Sequence, residues 1–325
     1  MCNDLANGLK KEAAPLVQPD GLATASSSSA ALIQTATKGL PQKKCNQDAA
    51  KAYRGSRFNA LAVADGVGSA LDAQSASAIA VDTFLRQVAT FDQSERPLTE
   101  IAAGIQEFWD SSLTALDDLF ARDPQRYEQF RGSPVLETTL LTALDIEDRY
   151  IVSYVGNGSV FYVRGDFDAF RKRWPWAVVN LAAGQAVLNA DTGKDELQYV
   201  LAPQRAKRPQ PVVVEHSKNV DHGEAILLCT DGISSPEQAR VGYDSDHRLW
   251  TEINPHLIDL VQGRLTEFLA SLAISSNPAG DLLITLDRFL AERSFDDDAS
   301  IGIILSQPLV LRYRARAISE SASRE

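Results

Sequence analysis

Two apolar runs of this chain close in the same way. "LAVADGVGS" (61–69) reaches Asp65-Gly66, and "ILLCTDGIS" (226–234) reaches Asp231-Gly232. Two more acidic positions adjoin apolar segments, Asp48 in "NQDAA" and the run Asp296-Asp297-Asp298 ahead of "ASIGII". Singly, Asp-Gly between apolar runs signals a tight turn, because both residues tolerate positive φ. A run of three aspartates alone reads as a solvated loop. Together they are oxygen donors tied to strand ends, the donor type that Mg²⁺ and Mn²⁺ require. Strand ends meeting at one edge of a sandwich can supply such ligands from distant points, and a glycine lets its backbone approach closely.

The surrounding periodicity supplies elements to position these residues. "FNALAVAD" and "EAILLCTD" are continuous apolar runs of strand length, and "ASIGIILS" closes the pattern. Residues 74–90 place Ala78, Val81, Leu85 and Val88 on one helical face, and residues 98–120 do the same with Ile101, Ile105, Phe108, Ser112 and Leu116. "TTLLTALDI", "YIVSYVG" and "VFYVRG" follow at close spacing and predict an antiparallel meander, and "PVVVEH" reads as a further strand. Two more helices carry Leu257, Val261, Leu265, Phe268 and Leu272, then Leu282, Leu286 and Leu290. Clusters of strands separated by helix pairs predict an α+β fold, a central sandwich of two antiparallel sheets flanked by pairs of helices. Residues 1–30 read as a flexible lead, 31–306 as the catalytic domain with an irregular insert at 166–210, and 307–325 as a tail.

Composition narrows the classes of partner. The 325 residues are 44% hydrophobic and 23% charged, with a net charge of −11. So acidic a surface repels phosphate backbones and anionic lipid, which disfavours nucleic acid and membrane as partners. The three cysteines, Cys2, Cys45 and Cys229, have neither metal-ligand nor disulfide spacing, which fits a reducing, cytoplasmic setting. Cys229 reads as a small core residue, and the four histidines, His216, His222, His247 and His256, read as surface residues.

The order "NQDA … VADGVG … ETTLLTAL … YVGNGSVFYVR … ILLCTDGIS … DDDASIGII" resembles the metal-dependent serine/threonine protein phosphatases of type 2C, over roughly residues 35–306. The resemblance implies the same two-sheet sandwich and two Mg²⁺ or Mn²⁺ ions. Asp65 would bridge the ions, the Gly66 carbonyl would bind the second, and Asp231 and Asp297 would complete the first. Asp48 would orient metal-bound water, and Asp298 takes a place usually held by Asn. Substrates would be phosphoserine and phosphothreonine in proteins, in signal transduction alongside a cognate kinase.

The departures from that pattern are polar and near the expected ions. Gln47 stands where a Glu is usual, and Lys43 stands where an Arg usually clamps phosphate. Asn157 replaces the Asp of a third-ion motif, and Val67 replaces a His proton donor. "ETT" at 137–139 reads as strand and packing residues. Arg171, Lys172 and Arg173 beside Trp174, Pro175 and Trp176 read either as a loop packed by its tryptophans or as a substrate-selecting element. Two functions stay open at this stage: turnover of phosphoproteins, or a pseudophosphatase that binds a phosphoprotein without turnover.

Overall fold

The strand "NALAVAD" shows no polar alternation because both of its faces are covered. Ala60, Ala62 and Ala64 pack against helices, while Leu61 and Val63 pack against a second sheet. The strand "GEAILLC" divides likewise, with Ala225, Leu227 and Cys229 toward helices and Ile226 and Leu228 toward the first sheet. The small side chains on the helix side of "NALAVAD" let the helices lie close to that sheet.

The computed structural model describes residues 30–313, apart from residues 44, 129–133, 166–175, 189–194, 198, 204–208, 220–222, 236–239, 244, 247–248, 253 and 273. Along the chain come β1 (Ala30–Lys38), β2 (Asp48–Arg54), β3 (Asn59–Asp65), α1 (Ala73–Gln93), α2 (Ile101–Arg122) and α3 (Pro124–Glu128). Next are β4 (Leu140–Asp145), β5 (Arg149–Val155), β6 (Ser159–Gly165), β7 (Trp176–Asn180), β8 (Ala186–Leu188) and β9 (Asp195–Leu197). Then follow β10 (Val212–Ser217), β11 (Gly223–Cys229), β12 (Arg240–Tyr243) and β13 (Leu249–Glu252). The last elements are α4 (Pro255–Ile258), a π-helical stretch (Asp259–Leu265), α5 (Thr266–Ser271), α6 (Pro278–Glu292) and β14 (Ala299–Ser306).

Two five-stranded sheets, β1-β14-β11-β6-β7 and β10-β5-β4-β3-β2, stack face to face, and all their pairings are antiparallel. The α+β sandwich expected from the sequence is therefore the one observed. Helices α1 and α2 cover the β3 sheet and hold to each other through edge-to-face contacts of Phe84 with Phe108 (5.9 Å) and Trp109 (6.3 Å). The Trp109 indole N–H donates to Ser153 Oγ at 2.9 Å, so the buried ring has its polar partner. On the other side Leu257, Val261, Leu265, Phe268 and Leu272 are all buried, as are Leu282, Leu286 and Leu290. Val81, Leu85 and Val88 are buried in α1, but Ala78 is only half-buried, the inward stripe running instead through Ala76, Ala80 and Phe84.

Three expectations need correction. The runs that became β4, β5 and β6 do not form one meander: β4 pairs with β5, whereas β6 crosses into the other sheet beside β11. Gly156, with φ of 114°, makes that crossing in a conformation L side chains rarely adopt. The 166–210 segment contains ordered structure, since β7 is the fifth strand of its sheet and β8 pairs with β9. The proposed cluster Arg171, Lys172, Arg173, Trp174 and Pro175 lies outside the described residues. Finally, Cys45 is engaged in a disulfide, which the cysteine spacing did not suggest.

Candidate active site

Four strand ends meet at one edge of the sandwich. β2 begins with Asp48 directly opposite Asp65, the last residue of β3. In the other sheet β11 ends just before Thr230-Asp231, and β14 begins just after Asp297-Asp298. One sheet thus contributes Asp48 and Asp65, and the other Asp231 and Asp297.

Neither Asp-Gly pair is a positive-φ turn; Gly156 is the described glycine with that geometry. Close approach explains both glycines. A Cβ on Gly66 would meet the Ala73 carbonyl oxygen at 2.4 Å, where α1 begins, and a Cβ on Gly232 would meet the Asp298 carbonyl oxygen at 2.0 Å. Each glycine lets a second backbone segment press against the strand end carrying the aspartate.

Hydrogen bonds then fix the backbone of Asp65. Its N–H donates to Thr139 Oγ1 at 2.9 Å, and its carbonyl accepts from Thr138 Oγ1 and from Thr139 N, both at 2.8 Å. Thr138 and Thr139, expected to serve packing, are positioning residues. Thr138 also exchanges backbone hydrogen bonds with Leu201 (3.0 and 2.8 Å), which attaches the end of the insert to the same point.

The sheets are joined polar group to polar group at this edge. Thr230 Oγ1 donates to Asp48 Oδ2 at 2.8 Å and accepts from Ser300 N at 2.9 Å. Asn157 Nδ2 donates to Asp231 Oδ2 at 2.7 Å, and the preceding Gly156 N–H donates to Gln185 Oε1 at 2.6 Å. Asp298, fully buried, accepts from Leu40 N (2.7 Å) and Gln47 N (2.9 Å). Its carboxylate therefore anchors the backbone at Leu40 and at Gln47. Lys43 Nζ sits among Gln47, Asp297 and Asp298 and pairs with both carboxylates.

Electrostatics mark the same residues. Burial pushes Asp48 up to about 6, against the stabilising bonds its carboxylate accepts. Asp65 lies well above the ordinary carboxylate range, from burial first and then from the charges of Asp48 and Asp231. Asp231 is raised by burial and then by Asp297, with Asn157 opposing. Like charges held together out of water favour protonation, or a cation.

The donor set fits a hard divalent ion. Asp48 Oδ1, Asp231 Oδ1 and Asn157 Oδ1 are buried oxygens without a hydrogen-bond partner, and carboxylate, amide and backbone oxygen are the ligand types such ions take. Among the described residues no three His, Cys, Asp or Glu side chains stand ready-made around one point. Asp297, expected as a ligand, is paired with Lys43.

Other candidates separate from this edge. Burial pushes the Cys229 thiol up to about 12, consistent with a core residue. His216 is not a plain surface residue, since its ring lies 4.1 Å from that of Tyr162, and His256 packs at 5.0 Å from Phe295. His222 and His247 lie outside the described residues.

The sequence matches the protein phosphatase 2C family model over residues 37–270, and the chain belongs to that family. Its class is accordingly that of a protein serine/threonine phosphatase. Asp297 and Asp298 lie beyond the matched span. Among solved structures, the PPM Ser-Thr phosphatase MsPP of Mycobacterium smegmatis is similar at 17% identity with a TM-score of 0.52, covering 85% of this chain and 99% of that one. The serine/threonine phosphatase Stp1 of Staphylococcus aureus is similar at 15% identity with a TM-score of 0.50, covering 84% and 93%. A bacterial serine phosphatase matches at 15% identity with a TM-score of 0.52, covering 84% and 96%. No curated protein matches the chain.

Proposed function

We propose that this edge hydrolyses phosphoserine and phosphothreonine in proteins with Mg²⁺ or Mn²⁺ bound. The observation that carries the reading is the meeting of Asp48, Asp65 and Asp231 from two sheets, with buried oxygens lacking partners and raised carboxyl pKa values. Asp65, the Gly66 carbonyl, Asp231 and Asp297 are the residues that would hold the ions. When bound, such ions lower the pKa of water and offset charge on phosphoryl oxygens.

The chain's own residues have separate tasks on this reading. Asp48 Oδ1 is the buried acceptor that orients the attacking water, with its other oxygen fixed by Thr230. Thr138 and Thr139 hold the Asp65 backbone, so its carboxylate and the Gly66 carbonyl keep one orientation. Gln47 offers a neutral amide where a carboxylate would bind an ion more strongly. Asn157 gives Asp231 a hydrogen bond instead of a third acidic ligand, which supports two ions over three. The substrates are phosphoproteins, supplied by a serine/threonine kinase in a signalling role.

The test is hydrolysis of a phosphothreonine peptide with Mn²⁺, with Mg²⁺ and with chelator, beside an Asp231→Asn variant. Metal-dependent turnover that collapses in the variant is expected. Folded protein without turnover in millimolar metal would overturn the reading in favour of a phosphoprotein-binding pseudophosphatase.

A further inference from the structure

Lys43 occupies the acidic edge as a cation would. Its ammonium donates to Gln47 Oε1 at 3.0 Å, to Asp298 Oδ2 at 3.2 Å and to Asp297 Oδ1. An ammonium has three donors, so all of them are engaged. Asp297 Oδ1 also accepts from Asp298 N at 2.7 Å. That oxygen has two donors facing it, so an ion approaching it competes with the Lys43 ammonium for the same carboxylate.

The partners differ in their freedom to move. The Asp298 side chain is 0% exposed and is tied to the Leu40 and Gln47 amides. Lys43 is 27% exposed and Asp297 45% exposed at their side chains, and lysine is a point charge on a flexible stem. Asp298 is thus the fixed post and Lys43 the part that can swing into solvent.

We propose that Lys43 is a built-in counter-cation, a latch that holds Asp297 until a divalent ion displaces it. The proposal rests on reading Asp297 as an ion ligand. Ion binding then competes with the protein's own side chain. Displacement also frees the ammonium to meet a phosphate, so any clamping by Lys43 follows ion loading and does not precede it. The latch deals with an otherwise uncompensated acidic cluster in the ion-free protein and raises the ion concentration needed to load the site.

The test is Mn²⁺ binding by titration calorimetry to chelator-stripped protein, wild type against Lys43→Met, with melting curves in chelator and in Mn²⁺. Removing one partner of a partly exposed pair within a network should tighten Mn²⁺ about twofold to fivefold. Lys43→Met should also melt lower than wild type in chelator yet gain more from Mn²⁺, because ligand binding adds to folded-state stability. Unchanged or weaker Mn²⁺ binding would overturn the latch. Lys43→Gln, which keeps a polar tip without the charge, serves if Lys43→Met does not fold. Tighter Mn²⁺ in the variant with no turnover in the wild type would remove the phosphatase reading and leave the latch; wild-type turnover with unchanged affinity in the variant would do the reverse.

Discussion

Gly232→Ala adds one methyl group at the point where the two halves of the acidic edge touch. Its Cβ would lie 2.0 Å from the Asp298 carbonyl oxygen and 3.3 Å from that of Asp297. Ordinary carbon–oxygen contacts begin near ~3.3 Å, so one backbone must retreat by about 1.3 Å. Little can yield. Asp298 is pinned through its side chain to Leu40 and Gln47, and Thr230 N donates to Ser300 O at 3.0 Å. Because φ at Gly232 is not in the positive range, the clash is the whole penalty. Overpacking costs roughly 1–3 kcal/mol, against roughly 0.4–1 kcal/mol gained by restricting the unfolded chain. A net loss near ~1–2 kcal/mol lowers Tm by about 2–6 °C in a domain of this size. Gly68→Ala is the matched control, since its Cβ would meet only Gln47 Oε1 at 3.8 Å. Circular dichroism melts in chelator compare the two variants. Equal melting temperatures for Gly232→Ala and Gly68→Ala would refute the close-approach account of the second Asp-Gly pair.

Two further outcomes follow from the site. Carboxyl pKa values raised in the folded state mean that the native protein binds more protons than the unfolded chain between the two values, so stability falls as pH rises through that window. With Asp48 up to about 6 and Asp65 and Asp231 also raised, the ion-free protein should melt higher near pH ~5 than near pH ~7.5, and Asp48→Asn should flatten the slope; a melt rising toward neutral pH in chelator would contradict this. Thr139→Val leaves the Asp65 N–H without its acceptor, which should cost about 1–3 kcal/mol and weaken Mn²⁺ binding by calorimetry; wild-type stability and affinity would show that Asp65 does not depend on that hydroxyl.

The sequence showed the sandwich because burial on both faces leaves continuous apolar runs, and β3, β11 and β14 are such runs. It also showed the acidic positions, because carboxylates at the ends of apolar strands stand out. What it concealed was partnership. Thr138 and Thr139 look like ordinary strand residues, and only the fold brings them to Asp65, 73 and 74 residues away in the chain. Gln185 lies 29 residues from Gly156 and carries no local mark of its contact. The crossing of β6 to the other sheet was concealed for a different reason. Short spacing between strands favours a hairpin, and one glycine at φ of 114° overrides that preference. Asp298 was legible as acidic, but not as an anchor, since its partners are two backbone amides about 250 residues earlier.

The acidic edge draws half of its oxygens from each layer of the sandwich, Asp48 and Asp65 from one and Asp231 and Asp297 from the other. An ion held there would rivet two sheets that elsewhere adhere mainly through apolar side chains. Filling the site would therefore resist sliding of one layer over the other, much as a pin locks two leaves of a hinge, and slippage between layers would loosen its grip on the ion. In that sense the same few oxygens would serve chemistry and mechanical registration at once.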